Sequence, residues 1–142
     1  MNPTIEKFGF PETLLKEFGH WLVLVRPAQV TLGSLVLAAK SNAKAYSDLS
    51  ADAFANQAEA ISYIERVLAR FVSYERINYL MLMMVDREVH FHVIPRYSRP
   101  RGWKDIEFAD TGWPGPPRLD VAVKLDAGQL SQLVTDLGAN PA

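Results

Sequence analysis

Cysteine is absent from this chain and histidine is scarce, with three in 142 residues. The first absence excludes disulfides and thiolate metal sites, so only His, Asp and Glu remain as metal ligands. An excess of charge of one sign is also lacking. Fifteen Lys and Arg stand against 16 Asp and Glu, a formal net charge of −1, which argues against a nucleic-acid partner bound along its backbone. No apolar run approaches the roughly 20 residues that cross a bilayer. The opening MNPTIEKFGF has neither the basic start nor the apolar stretch of a signal peptide. These absences lead to the expectation of a soluble cytoplasmic chain with no membrane partner. What is present is enough to build a core: 49% of the residues are hydrophobic, and the length fits a single domain over 1–142.

The periodicities place the elements. Pro11 to Phe18 reads as a short N-terminal helix with Pro near its start. Trp21–Val25 and Leu35–Ala39 read as strands, separated by Arg26-Pro27 and the turn Leu32-Gly33-Ser34. Ser50 is a candidate cap for a long helix, whose apolar positions Phe54, Ala58, Ile61, Ile64, Val67, Leu68 and Phe71 recur every three or four residues. Ile77–Val85 is expected to be a fully buried strand, with Met81, Met83 and Met84 as core filling. Val89–Ile94 alternates with period two and is expected to end at Pro95. Tyr97–Leu119 reads as a long loop, Val121–Leu125 as a short strand, and Asp126–Leu137 as a C-terminal helix ended by Gly138. Short strands with one long and two flanking helices imply an α+β domain.

Two of the three histidines, His90 and His92, sit one residue apart on the alternating strand. Glu88 lies two positions earlier on the same face. A single buried histidine is most often a hydrogen-bonded core residue. Three polar groups in line would cost several kcal/mol unless each is satisfied, so such a trio points to use. One use is metal binding by Glu88, His90 and His92. The other is nucleophilic catalysis, because a neutral imidazole attacks phosphorus well and a neighbour can set its tautomer. Arg96, Arg99, Arg101 and Lys104 follow at once, four positive charges in nine residues with no acid among them. They favour a phosphorylated substrate, whose charge such a patch would neutralise. Tyr97 and Trp103 offer surfaces on which a base could stack.

Val89-His90-Phe91-His92-Val93-Ile94-Pro95-Arg96 closely resembles the signature of the histidine-triad superfamily, His-φ-His-φ-His-φ-φ with φ apolar, which many members continue with Pro-Arg. Trp21 to Pro27 and Leu32 to Leu37 resemble the family's first hairpin, and the long helix and the segment Asn78–Val85 fall in order. The resemblance covers about residues 18–101, leaving 102–142 as loop, short strand and C-terminal helix. It implies an antiparallel sheet of about five strands with one long helix and a C-terminal helix. It also implies a nucleotidyl hydrolase or transferase acting on the α-phosphate of nucleotide conjugates, such as dinucleoside polyphosphates or nucleoside phosphoramidates, without a metal or other cofactor and as a homodimer. His90 matches the nucleophile, which would form a nucleotidyl-histidine. His92 would hydrogen-bond a phosphate oxygen or the leaving group, and Glu88, standing at the first histidine position, would orient a neighbouring polar group. Ser34, Arg96 and Arg101 are the candidate phosphate contacts. The chain departs from the pattern at Glu88, at Ser34 where Gly-His is common, and at Met84–Arg87, which lacks a Gly- and Gln-containing segment. Three readings stand beside this one. They are a nucleotide-binding module without turnover, a metal-binding domain on the Glu-x-His-x-His face, and a partner protein docking through Trp113–Pro117.

Overall fold

The structure, a computed structural model, describes residues 2–139. Its elements in chain order are helix α1 (Pro3–Lys7), strands β1 (Leu14–Glu17), β2 (Trp21–Val25), β3 (Ala28–Gln29) and β4 (Leu35–Ala39), and helix α2 (Ala51–Val72). Strands β5 (Arg76–Leu80), β6 (His90–Arg96), β7 (Arg101–Trp103), β8 (Ile106–Phe108) and β9 (Val123–Lys124) follow, and helix α3 (Ala127–Gly138) ends the series. Five strands form one antiparallel sheet in the order β1-β2-β4-β6-β5. Two small ribbons, β3 with β9 and β7 with β8, lie outside it. This is the α+β arrangement with one long and one C-terminal helix.

The sheet is covered on both faces, which is why β2 and β4 read as unbroken apolar runs. Alternate residues divide between the two sides. Trp21, Val23, Val25, Leu35, Leu37 and Val93 pack with Ala60, Ile64, Val67 and Leu68 of α2 and with Leu133 and Leu137 of α3. Leu22, Leu24, Val36 and Ala38 pack with Ile5 of α1 and with Phe8 and Phe10 beyond it. The packed core therefore extends past residues 18–101 at both ends. Ser50 caps α2, its side chain accepting from Ala53 N, and Asp126 caps α3 in a reciprocal pair with Gln129.

Four sequence expectations are corrected. Pro11–Phe18 is not a helix. The helical start lies earlier, at Asn2-Pro3, where the Asn2 side chain accepts from Ile5 N at 3.0 Å. Residues 14–17 pair with β2 instead, so tertiary pairing overrides the helical propensity of Leu-Leu-Lys-Glu. Ile77–Val85 is a strand only to Leu80. Met81–Val85 leaves the sheet, with Met83 at φ 51° and with Met84 and Val85 83% and 81% exposed, so Met84 fills no core. Pro95 does not end β6. Its carbonyl accepts from Thr31 Oγ1 at 2.6 Å on the flank where pairing with β4 has stopped at Val93, so the missing N–H costs no ladder bond. Finally, Tyr97–Leu119 contains the β7–β8 ribbon.

Arg96 and Arg101 are also accounted for by the fold. Arg96 grips Asp110 with Nε at 2.7 Å and Nη2 at 3.0 Å, and donates to Asn78 Oδ1 and Gly115 O. Both charges are almost fully buried. Arg101 donates to Val72 O and Ser73 O, closing the C-terminus of α2 where carbonyls are unpaired and the helix dipole favours a cation. Its guanidinium also lies 4.6 Å from the Tyr97 ring centre. Both residues fasten the segment after β6 to the body of the fold. Replacing Arg96 by Met would strand the Asp110 carboxylate in the interior and should cost about 3–5 kcal/mol. Urea denaturation reads this directly, and Asp110→Asn in the same chain should recover part of the loss.

Candidate active site

His90 and His92 open β6 and project to the α1 side of the sheet, opposite Ala38 and Val36 of β4. Parity dictates this, because Phe91 and Val93 must face α2. The two rings meet edge to face with centres 5.2 Å apart. Phe8, just past α1, packs on both, at 5.8 Å from His90 and 5.7 Å from His92. Together with Lys7, Arg26, Asp86 and the apolar stretch Leu82–Val85, they line a cleft of about 350 Å³.

The neighbours fix the two imidazoles in opposite states. His90 Nδ1 lies 2.7 Å from the carbonyl oxygen of Glu88. A carbonyl only accepts, so Nδ1 carries a proton and in the neutral ring the lone pair lies on Nε2. His92 Nδ1 lies 3.4 Å from Nε of Arg26. An arginine only donates, so here Nδ1 is the acceptor and Nε2 carries the proton. The cleft thus holds one imidazole with a free lone pair and one with an outward N–H. Burial first, then the charge of Arg26 and the neighbouring His90, push His92 down to about 4 from an ordinary 6.5.

Glu88 is buried but reaches His90 only through its backbone. Its carboxylate accepts from Thr4 Oγ1 at 2.7 Å, with Lys44 Nζ at 3.9 Å. The Thr4 hydrogen bond holds the carboxyl below its ordinary range. Glu88 therefore orients Thr4 and anchors α1, the helix that delivers Phe8 and Lys7 to the cleft. Lys7 is itself tied to Asp86 at 2.9 Å. The convergence of Glu88, His90 and His92 that the alternative metal reading needs is not found, and no group of three His, Asp or Glu is placed to hold a metal among the described residues.

Three expected phosphate contacts lie elsewhere. Ser34 is fully buried and closes its own turn, donating to Thr31 O and accepting from Thr31 N. Arg96 and Arg101 are engaged as described above, and none of the three lines the histidine cleft. The residues the sequence reading missed are Phe8 and Arg26. Arg26 carried a signal, since it continues the parity of Leu22 and Leu24 past the end of β2. Phe8 carried none, because it arrives from a different element.

The depressed His92 has a consequence for stability. Between pH 6.5 and about 4 the unfolded chain takes up a proton that the native chain refuses, so folding weakens as pH falls through that window. Partial solvation of the ring reduces the effect to on the order of 2 kcal/mol. His92→Gln should remove this part of the pH dependence. Denaturant melts of parent and variant at pH 7, 5.5 and 4.5 measure it, and identical slopes would mean that His92 titrates normally.

Compared by sequence with family models and with curated proteins, the chain matches none. Compared by structure, it is similar to solved histidine-triad proteins. One from Sinorhizobium meliloti superposes with a TM-score of 0.75 at 18% identity, over 99% of this chain and 95% of its own. One from Bradyrhizobium japonicum gives 0.72 at 19% identity, over 96% and 93%. The diadenosine triphosphate hydrolase of Plasmodium falciparum gives 0.66 at 11% identity, over 91% and 76%. The five-stranded antiparallel sheet, the long helix and the C-terminal helix agree with that likeness: this chain has the histidine-triad fold.

Proposed function

We propose that the chain binds nucleotides and acts as a nucleotidyl hydrolase or transferase on the α-phosphate of nucleotide conjugates, with His90 as nucleophile. The observation that carries this reading is the Nδ1–H bond from His90 to the Glu88 carbonyl, which leaves Nε2 as a lone pair on a ring that lines the cleft. Nε2 attacks phosphorus, the bond from phosphorus to the leaving group breaks, and that group departs with the electron pair. The ring becomes cationic, and its Nδ1–H bond to the carbonyl strengthens as it does, so this contact is worth more in the transition state than before it. Water then attacks phosphorus and releases Nε2. His92, with its proton on Nε2, hydrogen-bonds a phosphoryl oxygen as negative charge gathers there. The fold is shared with a protein described as a diadenosine triphosphate hydrolase, which supports a nucleoside polyphosphate as substrate class. In this reading one of the two outer strands of the sheet, β1 or β5, is where two copies extend one sheet into a homodimer.

His90→Ala should abolish the covalent intermediate and lower turnover by roughly 10³-fold or more. His92→Ala should be milder, since it removes a hydrogen bond and leaves the nucleophile. Mass spectrometry after brief exposure to a dinucleoside polyphosphate or a nucleoside phosphoramidate detects a nucleotidyl adduct. Tight binding with neither adduct nor product would mark a binding module instead. An active His90→Ala beside an inactive His92→Ala would move the nucleophile to His92.

A further inference from the structure

Arg96 in β6, Arg101 in β7 and Arg26 just after β2 use their donors very differently. Arg96 directs Nε, Nη1 and Nη2 at a carboxylate, an amide oxygen and a carbonyl. Arg101 directs all three of its nitrogens at carbonyls. Arg26 spends Nε on His92 and Nη1 on Ala28 O at 2.8 Å, and its Nη2 makes no hydrogen bond among the described residues. No carboxylate pairs with it there either. Asp86, the acid that lines the cleft with it, is committed to Lys7.

Arg26 is also half-buried, and it lines the same cleft as His90 and His92. A guanidinium in such a position has lost part of its hydration and gained no counter-charge, so it favours an anion that enters beside it. Nη2 is its free arm, able to donate a charge-assisted hydrogen bond to one oxygen of a phosphate.

We infer that Arg26 is the residue that holds the substrate's phosphate in the histidine cleft, taking the part that the sequence assigned to the arginines after β6. This rests on the proposed function for the identity of the anion, but not for the placement of the charge. Nε stays on His92 while Nη2 donates to a non-bridging oxygen, so one side chain both seats the phosphoryl group and keeps the His92 proton on Nε2.

Calorimetric titration of the full chain with AMP, adenosine and inorganic phosphate tests this in parent, Arg26→Gln and Arg26→Lys. AMP affinity should fall about 10- to 100-fold in Arg26→Gln, consistent with loss of a charge-assisted contact, and recover in part in Arg26→Lys. Adenosine affinity should not change. Equal AMP affinity in parent and Arg26→Gln overturns the assignment while leaving the nucleotide reading intact. If AMP binds the parent no more tightly than inorganic phosphate, and both weaken in Arg26→Gln, Arg26 holds the anion and the nucleotide reading fails. Absence of binding by either anion overturns the assignment. Should Arg26→Gln fail to fold, NMR of the parent decides: saturating phosphate must shift the Arg26 Nε–H resonance, and an unmoved resonance overturns the proposal.

Discussion

Strand β6 lies inside a sheet that is covered on both faces, so each polar atom that it buries must find a partner within the protein. Two imidazoles and the Glu88 carboxylate meet this constraint in three different ways: through a backbone carbonyl, through an arginine, and through the hydroxyl of Thr4. Among the described residues no buried side-chain polar atom is left without a partner. The same contacts that remove the burial penalty set the proton positions on the rings. Satisfying the interior and orienting the two rings are one arrangement here, and α1, anchored through Thr4 and Glu88, is what encloses it.

Positive charge is distributed by a related logic. The arginines that follow β6 face groups the fold has left in need of a donor: a buried carboxylate, a helix C-terminus, turn carbonyls. Arg26 lies at the end of β2, on the α1 side, where the acids are already engaged. A count of charges along the chain points to the first group because they are adjacent in sequence. The arginine that lines the histidine cleft is the one that is adjacent in space. The apolar stretch Leu82–Val85 shows the same inversion. It has the composition of a core strand and instead lines the mouth of the cleft, much of it in contact with solvent.

Where sequence periodicity is strong and local, it read correctly. The stripe from Phe54 to Phe71 identified α2 with its Ser50 cap, and the alternation across Val89–Ile94 put His90 and His92 on one face. Within the stripe the detail shifted: Phe54 is exposed while Gln57 and Ala60 are buried, because the helix is rotated by its packing on the sheet. Pro95 misled because proline forbids a ladder bond only on the flank that is paired, and which flank that is depends on where β4 ends. Pro11 misled because a proline at a helix start and a proline in a turn look alike until the neighbouring strand is known.

By itself the sequence determined the α+β class, the long helix, the strand that carries the histidines and the absence of thiolate chemistry, since each follows from composition or from a period of two or 3.6 residues within one element. Only the tertiary structure decided the tautomers of His90 and His92, the direction of the Glu88 carboxylate, the arrival of Phe8 and Arg26, and the withdrawal of Ser34, Arg96 and Arg101 from the cleft. Those depend on contacts between residues far apart in the chain, such as Arg26 with His92 or Thr4 with Glu88. No local pattern encodes them, because a side chain's partner is set by how the strands align and not by its neighbours in sequence.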